Sequence, residues 1–251
     1  MARVAIPNGI RRAAFALTAA LSVSACGGAP EPAEAPAGSR VVTFASRDGF
    51  TLEGRLFGEG TTAIVLSHMR PADQRSWFDF AERLADQGYL VLTYDFRGYC
   101  PGGVGGCSQG ERDISEIWQD VLGATDLVRS RGATTVAFVG ASMGGTASLV
   151  AAAQAGIEVD VVVALSAPIS IEGLVADPSL LQRVSANKLF IAGVGDASGA
   201  DSAEELYATA PPPKRVEIVP ADEHGTDLLT GSQGEVVRRL IETYLAQFAP
   251  A

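Results

Sequence analysis

Residues 135–144 read Thr135-Val136-Ala137-Phe138-Val139-Gly140-Ala141-Ser142-Met143-Gly144. The first five are apolar and β-rich, as in a strand buried on both faces. The stretch that follows, 146–154, is rich in alanine and reads as a helix. A serine sits at the turn between them, with a glycine two residues to either side. So tight a turn needs neighbours without bulk, because its backbone is strained and closely packed. The geometry lifts the hydroxyl clear of the sheet and aims the first helical N–H groups at whatever the serine attacks.

Working outward, β-rich apolar runs recur at 63–67, 89–94, 134–139, 159–165, 188–192 and 216–219. Between and after them lie candidate helices at 73–87, 113–131, 143–155, 171–184, 202–209 and 227–248. In the last, Leu228, Leu229, Val236, Leu240, Tyr244 and Leu245 form a helical stripe. Ahead of these, 40–46 and 51–57 alternate around Arg47-Asp48-Gly49-Phe50 and read as an antiparallel hairpin. The expected fold class is α/β: a mostly parallel central sheet with an antiparallel N-terminal hairpin and helices on both faces. There is no internal repeat. Ligands of such sheets bind at the carboxyl ends of the strands. Ser142, His68, Asp95 and Asp196 all fall at such ends.

With these signals in place, the chain resembles the α/β-hydrolase superfamily, in particular its small single-domain esterases and dienelactone-hydrolase-like members. The resemblance covers roughly residues 40–250 and rests on the serine turn, the strand-end residues, Asp95-Phe96-Arg97-Gly98 and His224. It implies an α/β-hydrolase fold with no or minimal lid, since 165–188 has room for one helix and little more.

It also implies a catalytic set. Serine needs a base, histidine titrates near neutrality, and the chain has two histidines. The family order is nucleophile, acid, histidine, and only His224 follows Ser142. Asp196 ends a strand-like run and matches the family position of the orienting acid; Glu172, Asp201, Asp222, Glu223 and Asp227 are its rivals. The backbone N–H groups of Met69 and Met143 are the expected oxyanion donors. The family often carries His-Gly where this chain has His68-Met69, and His68 reads as a support for that loop. Asp95 and Arg97 read as loop ties or as a local ion pair. Met143, Trp77, Phe78, Tyr99 and Val194 are candidates to line the pocket.

The implied activity is hydrolysis of carboxylic (acyl) ester bonds of small substrates through a Ser-His-Asp triad and an acyl-enzyme, with no cofactor and no metal. Two alternatives remain: a peptidase of the prolyl-oligopeptidase type, although no propeller domain accompanies it, and a catalytically silent envelope lipoprotein that uses the fold for binding.

The first 25 residues stand apart. Arg3, Arg11 and Arg12 precede a short apolar run ending Leu21-Ser22-Val23-Ser24-Ala25-Cys26. This resembles a bacterial lipoprotein signal, which implies cleavage before Cys26 and its acylation; an ordinary secretory signal is the alternative. Residues 27–38 are dominated by Gly, Ala, Pro and Glu and read as a tether. The expected organisation is a signal over 1–25, a disordered tether over 26–39 and a hydrolase domain over 40–251, held outside the cytoplasm on a bacterial membrane by its lipid. There, Cys100 and Cys107, in one Gly-rich loop, are expected to pair as a disulfide; a metal site lacks nearby histidines. Loss of three arginines takes the formal charge from −10 to −13. Such acidity argues against nucleic-acid or anionic-lipid partners.

Overall fold

The expected N-terminal hairpin forms from β1 (Arg40–Ala45) and β2 (Thr51–Phe57), with Arg40 opposite Leu56 and Ala45 opposite Thr51. The structure is a computed structural model that describes residues 1–2, 36–99, 108–154 and 156–251. Cys26, Cys100 and Cys107 lie outside the described residues, and with them the expected lipid attachment and disulfide.

The chain continues through β3 (Thr62–Ser67), β4 (Leu90–Tyr94), β5 (Thr135–Ala141), β6 (Val161–Leu165), the two-residue strands β7 (Ser170–Ile171) and β8 (Leu174–Val175), β9 (Asn187–Gly193) and β10 (Lys214–Val219). The main sheet has the order β1-β2-β4-β3-β5-β6-β9-β10. β2 runs antiparallel to both neighbours, and every pairing from β4 to β10 is parallel.

Period-2 alternation assigns each strand's side chains to two cores. Phe138 of β5 and Val162 of β6 face one side; Ala137 and Val139, with Val161 and Val163, face the other. Helices α2 (Trp118–Ser130), α3 (Met143–Ala152) and α5 (Ala197–Thr209) cover the first face. Helices α1 (Phe78–Ala85) and α6 (Gly234–Phe248) cover the second, through Phe80, Leu84, Val237, Ile241 and Leu245. α3 is buried along its whole length, which explains its lack of a polar face.

Two expected helices differ. Residues 171–184 hold the β7–β8 hairpin and then the one-turn helix α4 (Pro178–Leu181). Glu172 and Gly173 both have positive φ (46° and 89°), as a two-residue hairpin turn demands. Asp177 then caps the N–H groups of Ser179 and Leu180, and Pro178 fixes the first helical position. These short elements leave β6 and β9 joined without a lid domain. The second case is 227–248, which splits into a 3-10 turn (Gly225–Leu229) and α6. The Glu223 carboxylate accepts the N–H of Ser232 at 2.8 Å and holds the chain between the two pieces in a turn. α5 also begins five residues earlier than the expected start at 202, with the Asp196 side chain accepting the Gly199 N–H.

Candidate active site

Ser142 joins β5 to α3 at φ 48° and ψ −121°. Non-glycine residues rarely take positive φ, and here hydrogen bonds hold the residue from both sides. Its N–H donates to the Leu165 carbonyl at 2.8 Å, one step beyond the β5–β6 ladder. Its own carbonyl accepts the N–H of Gly145 (2.9 Å) and Thr146 (3.1 Å), which starts the helix. The glycines are needed for close approach. A Cβ on Gly140 would strike the Gly144 carbonyl, and one on Gly144 would strike the carbonyls of Ser67 and His68. The loop after β3 is thereby packed against the first turn of α3. The N–H groups of Met69 and Met143 donate to no other described residue.

β10 ends at Val219, and His224 follows in extended conformation just before the 3-10 turn. Its Nδ1 lies 2.7 Å from Asp196 Oδ2. A carboxylate can only accept, so Nδ1 carries a proton, and in the neutral ring that leaves the lone pair on Nε2. Asp196 stands just past β9, two strands beyond β5 in the sheet. Its other oxygen takes the Gly199 N–H at 3.3 Å. The carboxylate side chain is 9% exposed and the imidazole 40%. Gly225, at φ 58°, packs against Met69 and Ala141; a Cβ there would sit 3.4 Å from that of Ala141. The histidine loop thus reaches the residue preceding Ser142. The Ser142 hydroxyl makes no hydrogen bond to the imidazole or to any other described residue, and a base and its nucleophile need only come within reach when they react.

His68 is fully buried. Its Nδ1 donates to the Met69 carbonyl at 2.9 Å and its Nε2 accepts the Phe96 N–H at 3.1 Å. Both bonds require the neutral ring, and burial lowers its pKa to about 4. His68 therefore pins the Met69 loop to the end of β4. Tyr99 lies edge-on to it, 4.6 Å between centroids, with its hydroxyl 3.8 Å from Met143 Sδ.

Asp95 and Arg97 tie loops, although not to each other. Asp95 accepts the backbone and side-chain N–H groups of Gln74 at 3.0 and 2.8 Å, and burial raises its pKa to about 7. Arg97 grips Asp120 on α2 and Asp48 in the β1–β2 turn. Among the rival acids, Glu172 pairs with Arg70 and Glu223 bonds backbone N–H groups. Trp77 is wholly buried beside Phe80 and fills core instead of lining a pocket.

A family model described as "Serine aminopeptidase, S33" matches residues 59–195, more than half of the chain. This chain belongs to the S33 family of α/β hydrolases. It is 23% identical over 238 residues to the uncharacterized protein YfhR of Escherichia coli O157:H7, covering 84% of this chain and 81% of that one. The esterase Pf2001 of Pyrococcus furiosus has a similar structure, with a TM-score of 0.70 at 15% identity, covering 84% of this chain and 92% of the esterase. A dienelactone hydrolase from Anabaena variabilis superposes with a TM-score of 0.67 at 22% identity, over 84% and 99% of the respective chains. At such identities the likeness establishes the fold. Within this hydrolase fold, Ser166 lies beside the His224 loop and was not singled out from the sequence. It directly follows β6 at φ 47°, and its hydroxyl accepts the Gly225 N–H at 3.1 Å. Nothing local marks it, because its partner is 59 residues away.

Proposed function

We propose that the chain is a serine esterase that hydrolyses carboxylic esters of small substrates. The observation that carries this reading is the 2.7 Å contact between His224 and Asp196, at the sheet edge where Ser142 occupies its strained turn. Ser142 Oγ attacks the ester carbonyl carbon while His224 Nε2 takes its proton. The N–H groups of Met69 and Met143 receive the oxyanion, Met143 at the N-terminus of α3 where the helix dipole adds to the effect. The proton passes to the departing alcohol, leaving an acyl-serine. Water repeats the sequence and releases the acid.

A fluorophosphonate probe tests the serine. Wild type is expected to gain one adduct on Ser142 by mass spectrometry and Ser142→Ala none; a folded wild type that stays unlabelled would favour the silent binding protein. The description of the matching family favours a second reading, peptide hydrolysis. Short p-nitrophenyl esters are expected to turn over faster than the matched anilides, and the reverse order would select the peptidase.

For residues 1–107 outside the described segments, the proposal is a lipid on Cys26, an extracytoplasmic membrane-bound location and a Cys100–Cys107 disulfide. Cys26→Ser is expected to move the protein from the membrane to the soluble fraction, and non-reducing peptide mapping reads the disulfide.

A further inference from the structure

The sheet order β5-β6-β9 sets the end of β6 between the strand that carries Ser142 and the strand that leads to Asp196. Ser166 occupies that end, 1% exposed. Its backbone takes φ 47°, nearly the 48° of Ser142 one strand away. Serine gains nothing from this conformation by itself; glycine would adopt it without cost. Two hydrogen bonds account for its being held there. The Ser166 N–H donates to the Ile191 carbonyl of β9 at 2.7 Å, and the Ser166 hydroxyl accepts the N–H of Gly225 at 3.1 Å. Gly225 directly follows His224, at φ 58° and beside Met69 and Ala141.

We propose that Ser166 is a positioning residue for His224. It moors the loop after β10 by its hydroxyl and so holds the imidazole between the Asp196 carboxylate and the Ser142 hydroxyl. The inference rests on the reading of Ser142, Asp196 and His224 as the reacting set, and adds to it a residue that touches neither substrate nor reacting atoms. Asp196 fixes the ring's tautomer and one end of its position. A single hydrogen bond to Nδ1 still allows the loop to swing about that contact. The Ser166–Gly225 bond adds an attachment on the backbone directly beside the imidazole, which limits that swing.

The positive φ makes a clean test available. Ser166→Gly removes the acceptor and relieves the backbone at once, so stability and positioning are separated. Its melting temperature is expected to stay near that of wild type, the relieved backbone offsetting the lost hydrogen bond, while kcat for a short p-nitrophenyl ester falls about 10- to 100-fold with KM within about twofold, the pattern of lost orientation. The rate of fluorophosphonate labelling of Ser142 should fall with kcat, and the Gly225 amide should exchange faster with deuterium. Ser166→Cys, which keeps a weak acceptor of similar size, should recover part of kcat. A Ser166→Gly protein with wild-type kcat and labelling rate overturns the inference and leaves the esterase reading intact. Loss of kcat only in step with loss of melting temperature, in both variants, reduces Ser166 to a structural role and overturns it too. A wild type that neither labels nor hydrolyses any ester removes the esterase reading first, and the inference with it.

Discussion

Ser142 keeps its strained backbone because everything around it has been made small or has been bonded to it. The ladder bond to Leu165 and the two helix-starting bonds at its carbonyl fix the residue, and Gly140 and Gly144 let three backbones meet. At the same scale, Asp196→Asn is expected to leave the fold intact, because its side chain sits at a helix start and not in a core. Turnover should fall by about 10³- to 10⁴-fold if the carboxylate sets the histidine tautomer, as kcat measured alongside far-UV circular dichroism will show. His68 offers a second test. The unfolded chain protonates this ring near 6.5 and the folded one only near 4, because burial disfavours the charge. The unfolded state binds the extra proton between those values, so His68 makes stability fall as the pH drops from about 6.5 to about 4, by roughly 3 kcal/mol at completion. Asp95, raised to about 7 by burial, has the opposite slope: its contribution falls as pH rises from about 4 to 7. Ring ¹⁵N shifts at pH 5.5 should report His68 as the neutral Nδ1–H tautomer; an imidazolium signal would contradict the two hydrogen bonds it makes.

Among the elements, one buried side chain just past β4 ties several together. Arg97 is 3% exposed and pairs with Asp120, which has no exposure at all, and with Asp48 across in the β1–β2 turn. Three elements are joined through one guanidinium. Removing it strands a buried carboxylate, and such losses cost about 3–5 kcal/mol. Arg97→Met is therefore expected to lower the unfolding free energy by an amount in that range, read as a lower urea midpoint at unchanged m-value. The clamp between α1 and α6 is of another kind. Arg83, 35% exposed, meets Glu235 (44% exposed) and the less exposed Glu242 (14%), so Arg83→Ala should cost about 1 kcal/mol, well short of the Arg97 loss. Burial, and not the number of ion pairs, separates the two cases.

For the whole domain, the sheet has two faces and each needs its own cover. α6 contributes Val237, Ile241 and Leu245 to the core on the α1 side, and Thr62 Oγ1 reaches the Pro250 carbonyl at 2.5 Å just beyond it. Fully burying each such aliphatic side chain stabilises by about 1.5–3 kcal/mol, and a domain's net stability is only about 5–15 kcal/mol. A chain ended after Gln233 is therefore expected to lack a cooperative unfolding transition in calorimetry, whereas Ile241→Ala should retain one with about 2–5 kcal/mol less stability.

Much of this was legible in the sequence, because it depends on periods of two or three to four residues. The strand expected at 134–139, the glycines about Ser142, the N-terminal hairpin and the parallel alternation after it are local patterns, and local sterics and solvent exclusion enforce them wherever they occur. Asp196 and His224 could be named from order along the chain. Their 2.7 Å contact could not, since it depends on β9 and β10 lying side by side in register. Folding also decided what no pattern encodes: that Glu223 breaks the last helix in two, that Arg97 turns from Asp95 to Asp48 and Asp120, and that Ser166 reaches Gly225. Each of these is a contact between residues that are not immediate neighbours in the chain, nine apart for Glu223 and Ser232 and 59 apart for Ser166 and Gly225. Its free energy exists only after the sheet has brought its partners together, so the pattern of neighbouring residues carries no trace of it.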